Sequence, residues 1–187
     1  APAVGYLAYD HAAKLEPSVP LPDDGPPFPE SVFVIADTLL RFDLGAGVVE
    51  VLAGDADTIA QRLEQPHGVS NDSGGSQAGP LRRFPSQERY EEMVRRCQEH
   101  IVAGDAYQVV PSQRAERPTS ASALAVYRAL RRVNPSPYLF LLELGDLALV
   151  GSSPERLVAC ADGQASVCPI AGTTPAGVTA TIVARMT

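Results

Sequence analysis

Tyr138-Leu139-Phe140-Leu141-Leu142-Glu143-Leu144-Gly145-Asp146-Leu147-Ala148-Leu149-Val150 decides the fold class. An apolar run rich in leucine and aromatics meets a Gly-Asp tight turn and continues into a second apolar run. Two strands joined so tightly are antiparallel, since a parallel partner needs a long crossover. Downstream, Arg156–Ala161 and Gln164–Ile170 flank Asp162-Gly163, a strong hairpin signal. Upstream, Asn134-Pro135-Ser136-Pro137 stops a helix predicted over Ser122–Val133, with Leu124, Tyr127 and Leu130 on its inner face. A longer helix is expected between the N-cap Ser86 and the terminating Gly104. Its apolar stripe is Tyr90, Met93, Val94, Cys97 and Ile101, read as core. Nearer the N-terminus, Val4–Asp10 reads as a strand running into a loop. Ser31–Phe42 and Val48–Leu52 read as a hairpin about Gly45-Ala46-Gly47, and Asp57–Glu64 as a short helix. The pattern predicts an α+β fold with mostly antiparallel sheets and packed helices.

Composition sets the bounds. The chain has 187 residues, 45% of them hydrophobic and 20% charged, which favours a folded domain over disorder. His67–Pro80 is rich in Gly, Ser, Asn and Asp. The chain therefore reads as a unit over residues 1–66, a linker over 67–84 and a second unit over 85–187. A net charge of −7 argues against nucleic acid as partner, and no apolar run is long enough to span a bilayer. Three cysteines in no zinc-site spacing read as buried free thiols of a cytoplasmic protein. A two-residue turn would set Cys160 opposite Ala165, so Cys160 and Cys168 are not expected to bond. His11, His67 and His100 read as surface or capping residues.

Three stretches could carry chemistry. Gly104-Asp105-Ala106-Tyr107-Gln108-Val109-Val110-Pro111-Ser112-Gln113-Arg114 concentrates an acid, two amides and a guanidinium, with a strand expected over Ala106–Arg117. Gly151-Ser152-Ser153-Pro154-Glu155 reads as a polar loop with two hydroxyls and a carboxylate, able to orient a substrate or to satisfy itself. In Cys168-Pro169-Ile170-Ala171-Gly172-Thr173 a strand runs into a glycine turn, where backbone N–H groups and a threonine hydroxyl could bind a carboxylate.

Taken in order, Val4–Asp10, Gly104–Arg114, Asn134–Tyr138, Gly151–Glu155 and Pro169–Thr173 resemble the chorismate-utilising enzymes. Within them the pattern is most similar to component I, the large subunit, of the anthranilate synthases. The resemblance implies an antiparallel chorismate-binding sandwich, of which this chain would be a fragment lacking both ends. It implies chorismate as substrate, Mg²⁺ as cofactor and ammonia delivered by a glutamine amidotransferase subunit. It matches Gly172 and Thr173 to the chorismate-contacting pair. It matches Pro137, Tyr138 and Leu139 to the segment that contacts the feedback inhibitor tryptophan, with Leu139 where Met is usual. No catalytic residue or metal ligand of the family is matched in this chain, so the piece is expected to be inactive alone. Ala171 stands where aminodeoxychorismate synthases often carry a nucleophilic lysine, and the one lysine here is the distant Lys14. That favours ammonia as nucleophile. Aminodeoxychorismate and isochorismate or salicylate synthases remain alternatives, as does a non-catalytic remnant that binds tryptophan or a partner. The tail Val178–Thr187 lacks the charged helix the family pattern calls for.

Overall fold

The computed structural model describes residues 2–21, 28–66 and 78–168, and the backbone of a strand at Val183–Arg185. The chain divides into two units, one of Ala1–Ser70 with Tyr127–Thr187 and the other of Asn71–Val126.

In the first unit every described strand pairing is antiparallel, and the ladders are narrow. Strand β1 (Ala3–Leu7) pairs with β2 (Ser31–Ile35), and Gly5 faces Phe33 in that register. After β1 the chain turns through a 3₁₀ segment, Tyr9–His11, into the one-turn helix α1 (Ala12–Leu15). Glu30, just before β2, accepts from His11 Nδ1 and Lys14 Nζ, both at 2.6 Å, which ties this turn to the ribbon.

The single strand expected over Ser31–Phe42 is two. It breaks at Ala36–Thr38, and β3 (Leu39–Asp43) takes a different partner, β4 (Val48–Ala53). An apolar run cannot show that its two halves pair with different neighbours. The β3–β4 turn forms because Asp43 Oδ1 accepts from the N–H groups of Gly45 and Ala46, at 3.0 and 2.8 Å.

Helix α2 (Ala56–Glu64) starts at the N-cap Asp55, whose side chain accepts from Thr58 N at 2.8 Å. It carries Ile59, at 9% exposure the only buried apolar side chain among the described residues.

Strands β7 (Tyr138–Leu144) and β8 (Leu147–Ser153) form the longest ladder, across the predicted Gly145-Asp146 turn. Gly145 has φ +68°, as the first central residue of a type II′ turn requires. The next hairpin, β9 (Ala159–Ala161) and β10 (Gln164–Ser166), turns at Asp162 and Gly163, both with positive φ, the type I′ geometry. Its register sets Cys160 opposite Ala165, as expected, and β11 (Val183–Arg185) adds a third strand beside β10. All three cysteines are free. Their expected burial is not observed: Cys160 and Cys168 are exposed and Cys97 is half-buried.

In the second unit, β5 (Arg82–Phe84) pairs with β6 (Arg114–Glu116), and Ala78 bridges to Thr119. Helix α3 (Gln87–Ala103) begins at Ser86, which accepts from Arg89 N. It ends in a Schellman motif at Gly104, φ +85°, with Gly104 N–H donating to Ile101 O and Asp105 N–H to His100 O. The expected core stripe is only half-buried at Tyr90, Met93, Val94 and Cys97. Helix α4 (Ala123–Val133) crosses the boundary between the units.

Candidate functional site

The β7–β8 ladder brings two of the chemistry-bearing stretches together. Tyr138 lies opposite Ser153, Leu139 opposite Ser152 and Phe140 opposite Gly151. The predicted polar loop is therefore strand as far as Ser153, because its backbone finds a partner in β7. A Cβ on Gly151 would lie 2.1 Å from Phe140 Cζ, so a larger residue there would force the ring to move. Ser152 Oγ donates to the carbonyl of Asn134 at 2.6 Å. That bond fastens the end of β8 to the turn leading into Pro137, Tyr138 and Leu139. Leu139 is half-buried, whereas Pro137 and Tyr138 are exposed.

Beyond the ladder the chain satisfies part of its own polarity. Ser153 Oγ donates to Glu155 O at 2.9 Å and accepts from Glu155 N at 3.3 Å, a local turn. Arg156 follows, half-buried, and reaches across to the strand that leads toward Pro169. Its Nη2 donates to Ser166 Oγ at 3.0 Å and lies 3.4 Å from Cys168 Sγ. Its Nε is buried without a hydrogen-bond partner. Ser153, Glu155, Arg156, Leu157, Val167 and Cys168 line a cavity of about 440 Å³. Hydroxyl, carboxylate, guanidinium and thiol groups around an open space can bind a small polar molecule. Arg156 was not legible as a site residue, being only the first position of a predicted strand. The turn signal at Asp162-Gly163 held the clue, since its register carries Ser166 and Cys168 back toward residues 156–159.

Ala171, Gly172 and Thr173 lie outside the described residues, as does His67. Among the described residues no group of three His, Cys, Asp or Glu side chains converges.

The Gly104–Arg114 stretch belongs to the second unit. The strand expected over Ala106–Arg117 is confined to Arg114–Glu116, because residues 106–113 have no strand partner among the described residues. Tyr107 is 92% exposed and Val110 78%. Arg83 Nη1 donates to Gln113 Oε1 at 2.8 Å, and the Arg114 guanidinium stacks over Phe84, 4.9 Å from the ring centroid. His100 Nδ1 and Asp105 Oδ2 pair at 2.8 Å at the helix end, and His100 is exposed, in line with its reading as a surface or capping residue.

A family model described as chorismate binding enzyme matches residues 1–186. Among curated relatives, anthranilate synthase component 1 of Pseudomonas aeruginosa is 34% identical over 94% of this chain. Its namesake from Thermus thermophilus is 39% identical over 93%. Each of these relatives is covered over only 40% of its own length. Among solved structures, anthranilate synthase component I of Streptococcus pneumoniae superposes with a TM-score of 0.75 at 25% identity, over 88% of this chain and 41% of that one. With the family model matching nearly the whole chain and the fold shared, this chain belongs to the chorismate binding enzyme family.

Proposed function

We propose that the chain is part of the large component of an anthranilate synthase, which converts chorismate and ammonia to anthranilate, pyruvate and water. The carrying observation is the similarity to anthranilate synthase component 1, 34% and 39% identical across nearly the whole chain. In this reading Gly172 and Thr173 hold a chorismate carboxylate through a backbone N–H and a hydroxyl. Pro137, Tyr138 and Leu139 contribute to a regulatory tryptophan site. The methyl group of Ala171 cannot attack the ring, so ammonia is the nucleophile, supplied by a glutamine amidotransferase subunit. Mg²⁺ belongs to the same reading, with no ligand assigned in this chain. The reaction runs in the cytoplasm, and the chain alone does not turn over.

Chorismate titrated into the chain by calorimetry tests the site. Thr173→Val should weaken binding about tenfold, the worth of one hydrogen bond to a charged acceptor. Unchanged affinity removes Thr173 from the site. Anthranilate fluorescence with chorismate, Mg²⁺ and ammonia should stay at background for the isolated chain. A whole enzyme that yields aminodeoxychorismate or isochorismate instead overturns the assignment.

A further inference from the structure

We infer that the cleft between α2 and the start of β3 is a binding site for a small monocarboxylate with an apolar body of about benzene size. It lies within the first unit and shares no residue with the chorismate or tryptophan contacts proposed above, so it stands or falls separately. Thr38, Leu40, Ile59, Arg62 and Leu63 line a cavity of about 180 Å³. Their spacing explains how they meet. Thr38 and Leu40 are two apart at the entry to β3 and share a face of the chain. Ile59, Arg62 and Leu63 stand at i, i+3 and i+4 on α2 and share a helix face. Gly54, just before the N-cap Asp55, lets the two faces approach. Its φ is +107°, and a Cβ there would lie 3.1 Å from Ile59 Cδ1 and 3.2 Å from Thr38 Oγ1.

The chemistry of the lining selects the ligand. Ile59 is buried and Leu40 half-buried, whereas Thr38, Arg62 and Leu63 are exposed. The cleft therefore has an apolar floor, with one hydroxyl and one guanidinium at its mouth, the make-up of a small-ligand site. The fold uses neither polar group: among the described residues Thr38 Oγ1 and the Arg62 guanidinium make no hydrogen bond or ion pair. Arg62 is also the only cation of α2, and the positions three and four residues away hold Thr58, Ile59, Gln65 and Pro66, none a carboxylate. A guanidinium offers a planar fork that matches both oxygens of a carboxylate, and a hydroxyl beside it can donate to the same group. An apolar cavity of about 150 Å³ holds benzene, so the space here accommodates a ring of that size. A bare anion would leave the floor empty, and a hydrocarbon would leave the guanidinium unused. Benzoate and its close relatives satisfy both.

Benzoate titrated into the intact chain tests this, followed through the methyl resonances of Leu40, Ile59 and Leu63. All three should shift along one saturable curve, with half-saturation at about 10 mM or below, the weak limit for a ligand of about nine non-hydrogen atoms. Acetate, which lacks the apolar body, and benzyl alcohol, which lacks the charge, should each bind at least about tenfold more weakly. Arg62→Met keeps the stem and removes the charge, and should weaken benzoate binding about tenfold. Arg62→Lys, a point charge without the fork, should fall between that variant and wild type. Methyl spectra recorded without ligand show whether each variant keeps the native unit. If neither does, the comparison of the three ligands on wild type decides. The site is overturned by the absence of a saturable shift at these methyls, by equal affinity for benzoate and benzyl alcohol, or by wild-type affinity in a folded Arg62→Met. Shifts of the same size at Phe33 and Phe42 would mark partitioning onto exposed apolar surface and overturn it as well. Any of these results leaves the proposed chorismate chemistry untouched, because Gly172 and Thr173 take no part.

Discussion

A glycine and a glutamate show how much single residues fix here. Gly151 sits directly across the ladder from Phe140, and its missing side chain is the space the ring occupies. Gly151→Ala should push the ring off its rotamer and destabilise the β7–β8 ribbon by about 1–3 kcal/mol, the usual cost of overpacking. Shifted Phe140 ring resonances and a lower denaturant midpoint would register it, and wild-type values for both would refute the crowding. Glu30 works through charge. The hydrogen bond from Lys14, then that from His11, holds its carboxyl below the ordinary 4.5. A carboxyl depressed by folding contributes stability that is fully present above its unfolded value. That stability is lost as pH falls through the lower folded value. The tie between the first turn and β2 should therefore hold at neutral pH and weaken as acid is added below 4.5. Glu30→Gln should remove that pH dependence; an acid titration of the His11 and Lys14 resonances, identical in wild type and variant, would contradict it.

At the scale of elements, α3 carries its own start and stop signals, which is why its bounds were legible. Ser86 was readable as a cap and Gly104 as a terminator because each does a local job: one accepts an orphan N–H, the other adopts φ +85°. Ser86→Ala should cost α3 about 1 kcal/mol, seen as faster exchange of its first-turn amides. Unaltered exchange would mean that the 3.4 Å bond to Arg89 N carries no weight. The β7–β8 and β9–β10 hairpins were legible for the same reason, their turns being written in Gly145-Asp146 and Asp162-Gly163. What could not be read was partnership at a distance. The break between β2 and β3, the loss of strand over residues 106–113 and the extension of β8 to Ser153 all depend on which strand lies alongside. The candidate site divides in the same way. Its motifs were visible as stretches, but the Ser152 and Arg156 bonds that join them required the register.

At the scale of the molecule, many apolar side chains of the described ladders stay exposed. Phe33 and Ile35 on β2, Phe42 on β3, Leu52 on β4 and Leu157 ahead of β9 are exposed, and Ile59 is the lone buried apolar residue among those described. Two-stranded ribbons are marginal in water unless a third strand or a helix buries one face. Side chains left half in solvent contribute only part of their transfer free energy, while ordering the backbone still costs roughly 1–2 kcal/mol per residue. The chain in isolation should therefore behave as a loosely packed state. It should enhance the fluorescence of 1-anilinonaphthalene-8-sulfonate, keep far-ultraviolet ellipticity, and unfold over a broad denaturant range with a shallow slope. Loose packing bears directly on activity, because substrate contacts must be held to about 0.5 Å to be productive. A single steep unfolding transition without dye enhancement would show that these faces are packed in solution, and would remove this physical reason for expecting no turnover by the chain alone.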